Sequence, residues 1–579
     1  MFYLKETWKR LKINWKALLI SGIIILIIFF RSNAFIESII WTKWEILFLF
    51  CPFIGLLCFY KRKNEILIDI FYLAVSFFSI LLLVRSIVED SFIYYSWYII
   101  CFWLLYSFFY FNIVSNCLLY NIFTFSALAL SILGFIQYFA GYHFIVGTFD
   151  NPAGYALSLV VLLPFIYYQG QLYSHNKLKW IYIGIGIIAF IAIILSQSRT
   201  AIIAITIMTI FFVSRKYRYI ICGFLVVLFL TLLFNFKNDS TMGRFFILKV
   251  SYSMLNNDFL IWGYGLGRFK SQYMIFQAKA FENYCNKEYV LLADNIFHPI
   301  NEFILFLIEQ GLVFSILGAI ILSFYLLKAK THTPQYLCLI GILTFSFFSY
   351  PFKYPLTLFM LAYALSCLKL PQMKKISLYS SMLIVVNVLS IVWLGFVVYD
   401  IKNNYTWNRA YDKVKLGQFH KIENTYKKLS ENMRGDVNFI FNYSVVLFRA
   451  GRYNESLSYA QKCLSIVNNY DVQLLLADNY YKLKNNDLAI QHYKIASLMC
   501  PNRFSPLYGI FIVHYTANDT IQARTYGHTI LTKPIKIESK ILHELLFDVQ
   551  EKIDSLEVRN EKYSYTKRNI YFHYSSYIY

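Results

Sequence analysis

Apolar runs of helix length recur through the first 400 residues. They are centred near Ile24, Phe53, Val75, Phe102, Ala129, Val160, Gly186, Thr206, Val227, Ser315, Leu343, Met360 and Val388. The pattern predicts an all-α, polytopic helical membrane protein with about 12–13 transmembrane helices. The runs after Pro152 and after Arg199 are short, which implies tilt, extension or partial re-entry. The pair around Leu343 and Met360 is also short, with Pro351 and Pro355 at its turn. The longest polar interruption runs from Asn235 to Gly311. Ordered loops beyond roughly 12–15 residues are usually functional. This one is rich in Trp, Tyr, Phe, Gly and Leu, a composition that opposes disorder, so it reads as a lid carrying part of a site.

After Asp400 the polar pattern becomes that of a soluble helical domain with a period near 34, the tetratricopeptide spacing. Gly451-Arg452-Tyr453 with Ser456, Tyr459 and Cys463 marks one repeat, and Ala489, Tyr493, Ala496 and Pro501 mark the next. Weaker copies are Gly417-Gln418-Phe419 with Ile422 and Tyr426, and Ala523 with Ile530 and Pro534. The small residues let paired helices approach and the aromatics fill the gaps between them. An irregular helical domain is the alternative. The predicted organisation is a membrane domain over 1–400 with an external loop at about 236–300, a tetratricopeptide-like repeat domain over 401–560, and a basic Tyr-rich tail over 561–579. Repeats of this kind usually offer a concave surface to a protein partner, and this one is expected to be separable and non-catalytic.

Composition agrees with the membrane class: 58% hydrophobic, 20% aromatic and only 15% charged, against roughly 25% charged in soluble domains. The net charge of +22 is not a nucleic-acid signal, because much of the Lys and Arg sits in short loops beside apolar runs, as the positive-inside rule predicts. One set of alternate loops holds Lys5, Lys9, Arg10, Lys61-Arg62-Lys63, Lys177, Lys179, Arg215-Lys216, Lys328, Lys330 and Lys374-Lys375; the opposite set holds few. The positive-inside rule makes the first set cytoplasmic. The N-terminus is then inside, and the long loop and the repeats are outside. The ten Cys form no CxxC and are too scattered for a metal site, and nothing in the sequence calls for a cofactor.

Four outward motifs carry candidate chemistry. Asn151, within Phe149-Asp150-Asn151-Pro152-Ala153-Gly154, suits a helix cap with Pro152 at the first helical position, or a supporting role at the site. Arg199, in Ser196-Gln197-Ser198-Arg199-Thr200, stands where one span ends and another begins. A helix N-terminus there suits a phosphate; the alternative is an Arg that snorkels. Arg244 follows Asp239-Ser240-Thr241-Met242-Gly243. The segment after it places Ile247, Val250 and Met254 on one face, which predicts an amphipathic helix lying in the interface. Gly263, Gly265 and Gly267 predict a tight turn before Arg268. His298, with Asn301 and Glu302 at the mouth of the next helix, is placed to take a proton from an attacking hydroxyl; a lone structural His is the alternative.

In their order these motifs resemble the O-antigen ligase and O-antigen polymerase superfamily of bacterial envelope enzymes. The matching pieces are FDNPAG, SQSRTA, DSTMGR, GYGLGRF and NEFILFLIEQGL, from roughly Tyr142 to Leu327. The resemblance implies a glycosyltransferase of the inner membrane that works on the periplasmic face without a required metal. Its donor would be an undecaprenyl-diphosphate-linked glycan, and its acceptor a further glycan, a lipid A core or a protein side chain. It further implies that Arg199 and Arg244 hold the diphosphate, with Asn151, Asn301 and Arg268 supporting, and that a loop histidine activates the acceptor. Here Ile300 directly precedes Asn301 and His298 lies two residues earlier, so Glu302 stands as a rival base. A flippase or transporter of the same lipids is a second class, and a membrane-anchored scaffold a third. The loop asymmetry makes the topology testable: reporter fusions after Lys63, Asn257 and Ala450 are expected to read inside, outside and outside, and a cytoplasmic signal at Ala450 would contradict the span count.

Overall fold

The computed structural model describes residues 15–59, 65–89, 93–112, 116–173, 177–212, 223, 238–255, 257–283, 287–370, 374–377 and 380–558. The span predicted near Val227, the tail 561–579, and the basic residues Lys5, Lys9, Arg10, Lys61-Arg62-Lys63 and Arg215-Lys216 lie outside them. The chain divides into two compact units. One comprises 1–235 with 300–409; the other comprises 236–299 with 410–579.

The membrane unit contains helices α1 (Trp15–Phe29), α2 (Ile40–Phe59), α3 (Ile70–Val88), α4 (Ile93–Phe111), α5 (Asn116–Phe139), α6 (Pro152–Leu172), α7 (Leu178–Leu195) and α8 (Arg199–Phe212). The external loop that follows holds α9 (Asn238–Ser253), α10 (Asn257–Leu260), α11 (Phe269–Asn283) and α12 (Lys287–Val290), and belongs to the other unit. The chain returns to the membrane unit with α13 (Glu302–Lys328), α14 (Pro334–Phe348), α15 (Pro355–Ser366) and most of α16 (Ser380–Lys415). Every predicted centre among the described residues falls in a helix. Six helices have the length and hydropathy of membrane spans: Ile40–Leu57, Ile70–Val88, Leu118–Phe139, Pro152–Leu172, Leu178–Leu195 and Glu302–Lys328. Stretches such as Arg199–Phe211, Pro334–Phe348 and Pro355–Ser366 are apolar but shorter, as the sequence predicts. The fold is that of a polytopic helical membrane protein. One departure from an all-helical chain is a pair of four-residue strands, β1 (Glu65–Ile68) and β2 (Lys374–Ser377), antiparallel with Glu65 opposite Ser377.

α6 is the central helix, buried along most of its length, whereas α7 turns Trp180, Ile181, Ile187 and Ile194 outward. An apolar outer face is what lipid covers, and the polar backbone must then be satisfied internally. The most demanding place is α13. Gly311 sits at φ 73°, ψ −177°, and breaks the helix, a conformation that a β-carbon would strain. The break frees main-chain carbonyls in a buried stretch. Arg85 of α3 answers it: Nη1 donates to the Gln310 carbonyl at 2.7 Å and Nη2 reaches the Glu309 carbonyl at 3.4 Å. Its Nε bonds Glu89 at 2.7 Å, and the guanidinium lies 4.9 Å from the centre of the Phe314 ring. A second buried cation does the same work elsewhere. Lys43 of α2 donates to the Ile28 carbonyl near the end of α1, beside the Thr148 hydroxyl.

The second unit is a helical array: α17 (Phe419–Asn432), α18 (Val437–Arg449), α19 (Tyr453–Ile466), α20 (Tyr470–Lys482), α21 (Asn486–Met499), α22 (Ser505–Thr516), α23 (Thr520–Leu531) and α24 (Lys540–Val558). Its periodicity is built into the turns. Gly417, Gly451, Lys484 and Asn518 all take positive φ, at intervals of 34, 33 and 34 residues. Each ends a helix in the same way. Gln418 N–H reaches the Lys413 carbonyl, Arg452 reaches Leu447, Asn485 reaches Tyr480 and Asp519 reaches His514, all at 2.9–3.0 Å. These are the six-to-one bonds of the Schellman motif, which satisfy otherwise unpaired helix-end carbonyls. Between the turns, Ala460, Ala489, Ala496 and Ala523 are fully buried where helices meet.

The Arg85 bonds generate a prediction. Arg85→Ala leaves two buried carbonyls without their donor, at about 1–3 kcal/mol each. The variant is expected to melt several degrees below wild type in detergent. Arg85→Lys, which has no planar fork, should recover only part of the loss. An unchanged melting temperature would show that the break is satisfied in another way.

Candidate functional site

Asn151 caps α6: its side-chain oxygen accepts from Gly154 N–H at 2.8 Å, with Pro152 at the first helical position. Its neighbour Asp150, which the sequence reading passed over, does more. Asp150 accepts from Tyr354 Oη at 2.9 Å and forms an ion pair with Lys353. Lys353 lies on the short 3-10 turn Pro351–Lys353, whose last carbonyl accepts from Trp44 Nε1 at 2.9 Å. The turn is packed against α6 so closely that a β-carbon on Gly154 would stand 2.3 Å from the Tyr354 ring.

Glu302 and Asn301 belong to the same unit. Asn301 caps α13, accepting from Ile304 N–H at 3.0 Å, while its amide donates to the Phe347 carbonyl at 3.0 Å. The Glu302 carboxylate accepts from the main-chain N–H of Phe352, within the turn that carries Lys353. Thus Asp150, Asn151, Glu302, Lys353 and Tyr354 gather around one turn. Pro351 and Pro355 were visible in the sequence only as marking the turn between two short apolar runs.

Arg199 is half-buried at the first position of α8. The chain reverses before it through Gln197, at φ 56°. Ser196 Oγ donates to the Ile193 carbonyl at 2.6 Å, and the Ser198 carbonyl accepts from Ala201 N–H at 3.1 Å. Ala201 and Ile202 N–H both turn back to the Ser198 carbonyl, so Arg199 opens α8 directly after the reversal.

Arg244, Arg268 and His298 belong to the other unit. Arg244 is exposed on α9. The expectation that α9 lays Ile247, Val250 and Met254 against the membrane is corrected here: all three are buried in the unit's own core. Phe246 beside them stacks on Tyr289 at 4.8 Å and packs on Phe281 at 5.2 Å. The apolar face is taken up by α11 and α12, while Phe245 and Tyr252 point outward. Gly263, Gly265 and Gly267 all have positive φ, as the turn requires. Arg268 follows that turn, half-buried, and its carbonyl accepts from Ser271 N–H at 3.0 Å, opening α11.

His298 is half-buried at the end of a strap that is held from behind. Asn295 donates to Asp471 at 2.9 Å, and Asn502 donates to the Ala293 carbonyl at 2.6 Å. Burial, with Asp294 nearby, pushes the Asp471 carboxyl up to about 6. Ile300, just beyond His298, has φ 58°, a rare conformation for a β-branched residue. Among the described residues, no group of three or more His, Cys, Asp or Glu side chains converges as a metal site.

The chain is, in class, a polytopic helical membrane protein with cations placed at a helix start and on an ordered loop. Residues 184–317 match the family model described as O-antigen ligase. That stretch runs from α7 to the middle of α13 and contains Arg199, Arg244, Arg268, His298, Asn301 and Glu302. The match supports activity of the glycan ligase or polymerase type in general. No curated protein matches the chain.

Backbone strain of the kind seen at Ile300 persists only where the surroundings impose it. Ile300→Gly removes a left-handed penalty of about 1–2 kcal/mol. It also frees the chain between His298 and the Asn301 cap. It is expected to leave the melting temperature equal or higher while lowering activity; higher activity with unchanged stability would show that the strain has no functional part.

Proposed function

We propose that the chain transfers or polymerises glycans from an undecaprenyl-diphosphate-linked donor on the periplasmic face of the bacterial inner membrane. The observation that carries this reading is the family match, which spans a span end, an ordered loop and the next helix start, and includes both candidate arginines. In the reaction an acceptor hydroxyl attacks the anomeric carbon. The bond from that carbon to the diphosphate oxygen breaks, and the polyprenyl diphosphate leaves with the bonding pair. The acceptor's proton passes to a base, His298 or Glu302. Charge builds on the leaving group, so fixed cations at its oxygens stabilise the transition state more than the ground state. Arg199 and Arg244 are assigned to that role by residue type and motif position, because a guanidinium can bond two phosphate oxygens at once. Asn151, Asn301 and Arg268 support the segments that carry them. No metal is needed in this scheme, since the arginines supply the positive charge.

The helical array, with its period and Schellman turns, is read as tetratricopeptide-like. The acceptor remains one of three: another glycan unit, a lipid A core or a protein side chain.

Removing one charge-stabilising donor typically costs about 10²–10³ in rate. Arg199→Ala and Arg244→Ala are each expected to lose transfer to that extent, with normal amounts of protein in the membrane. Arg→Lys at either position should restore it only partly. The assay follows transfer from a purified lipid-linked glycan with chelator present throughout. Wild-type rates in both Ala variants would remove the diphosphate assignment. Loss of wild-type activity in chelator, reversed by a divalent cation, would point to a metal-dependent transferase instead.

A further inference from the structure

The helical array already holds an occupant. α11 of the external loop packs along α21, with Tyr273 and Met274 fully buried. Gln277, also fully buried, donates to the Met499 carbonyl at 2.6 Å and to the Asp294 carbonyl at 3.0 Å. Asn502, 6% exposed, donates to the Ala293 carbonyl at 2.6 Å and reaches that of Leu291 at 3.4 Å. Asn295 donates to Asp471 at 2.9 Å, and Arg503 bonds Asp294 at 2.9 Å.

Two properties of these bonds matter. Those of Asp471, Asn502 and Arg503 converge on one strap, Leu291 to Asn295, from the first turn of α20 and from the corner between α21 and α22. Several of them also grip main-chain carbonyls, which fixes the path of the strap whatever its side chains are. A buried amide bonded to a buried carbonyl is costly to leave half-made. Three residues after Asn295 comes His298, and three further on Asn301 is fixed as the cap of α13. At no more than about 3.6 Å per residue, His298 stays within about 11 Å of Asn295 along the chain.

We propose that the corner of the array formed by Asp471, Asn502 and Arg503 is an intramolecular docking site for the external loop, with Asn502 as a positioning residue for His298. The positioning half rests on reading His298 as the base. The array then works as part of the transferase, rather than as a detachable module for recruiting another protein. Truncation after Asp400 would remove the strap's support along with the repeats.

The test uses the full chain in detergent with Asn502→Ala. Hydrogen exchange is read over 287–297 and, as a control, over α22 and α23. Exchange in the strap is expected to quicken about tenfold, as for loss of one net hydrogen bond, with the control helices unchanged. Transfer is then measured in a cycle of Asn502→Ala, His298→Ala and the double variant. Misplacement of a catalytic group by about 1 Å costs up to about 10²-fold. The single Asn502 variant should lose at least tenfold in kcat at unchanged donor KM, and the double variant should be no worse than His298→Ala. Unchanged exchange would overturn the docking. Losses that multiply in the double variant would overturn the positioning role. A wild-type rate in His298→Ala would overturn the base assignment and the positioning with it, while the exchange result still decides the docking.

Discussion

A broken helix inside an apolar unit sets the central physical problem for this chain. Where Gly311 interrupts α13, carbonyls lose their intrahelical donors in a place that water does not reach. The Arg85 guanidinium is the answer, planar enough to meet two carbonyls and a carboxylate together. The same rule recurs wherever the fold departs from regular helix. Lys43 meets the end of α1, Asn151 and Asn301 meet the starts of α6 and α13, and Gln277 and Asn502 meet the strap before His298. Polar side chains in this molecule are spent largely on backbone. That explains how a chain with so few charges holds several non-helical turns in fixed positions.

Those turns carry the candidate chemistry. The reversal at Gln197 delivers Arg199 to the start of α8. The glycine turn at 263–267 delivers Arg268, and the left-handed Ile300 separates His298 from Glu302. A transferase acting on a diphosphate leaving group needs fixed cations and a positioned hydroxyl more than it needs an elaborate set of acids and bases. Rigid turns between helices supply that kind of preorganisation, and the family match falls across them.

The sequence showed the helices well, because a 20-residue apolar run has few alternatives in a long chain. The cap Asn151 and the glycine turn were also legible, since each follows from local stereochemistry, whereas Asn301 was read only as standing at the mouth of the next helix. The period of the array was visible at Gly417 and Gly451, but Lys484 and Asn518 take the same left-handed position without a glycine to announce it. Long-range pairings were not legible. The carbonyls that Arg85 meets lie 224 and 225 residues away. Asp150 and Lys353 meet across 203 residues. The apolar face of α9 was read correctly as apolar, but what covers it was not: a hydrophobic stripe looks the same whether it faces lipid or a neighbouring helix. The sequence reading also placed the external loop with the membrane domain, whereas its packing partners in the structure are the helices of the array.

A transferase breaks the bond between glycan and lipid diphosphate, whereas a flippase moves the intact lipid. A single-turnover experiment separates the two. Purified full-length protein, in excess over a radiolabelled lipid-linked glycan, is mixed with acceptor in sealed vesicles, and the label and the lipid are followed separately. Free polyprenyl diphosphate is expected to appear in step with label on the acceptor, one for one. Label that changes leaflet while still joined to its lipid, with no diphosphate released, would contradict it.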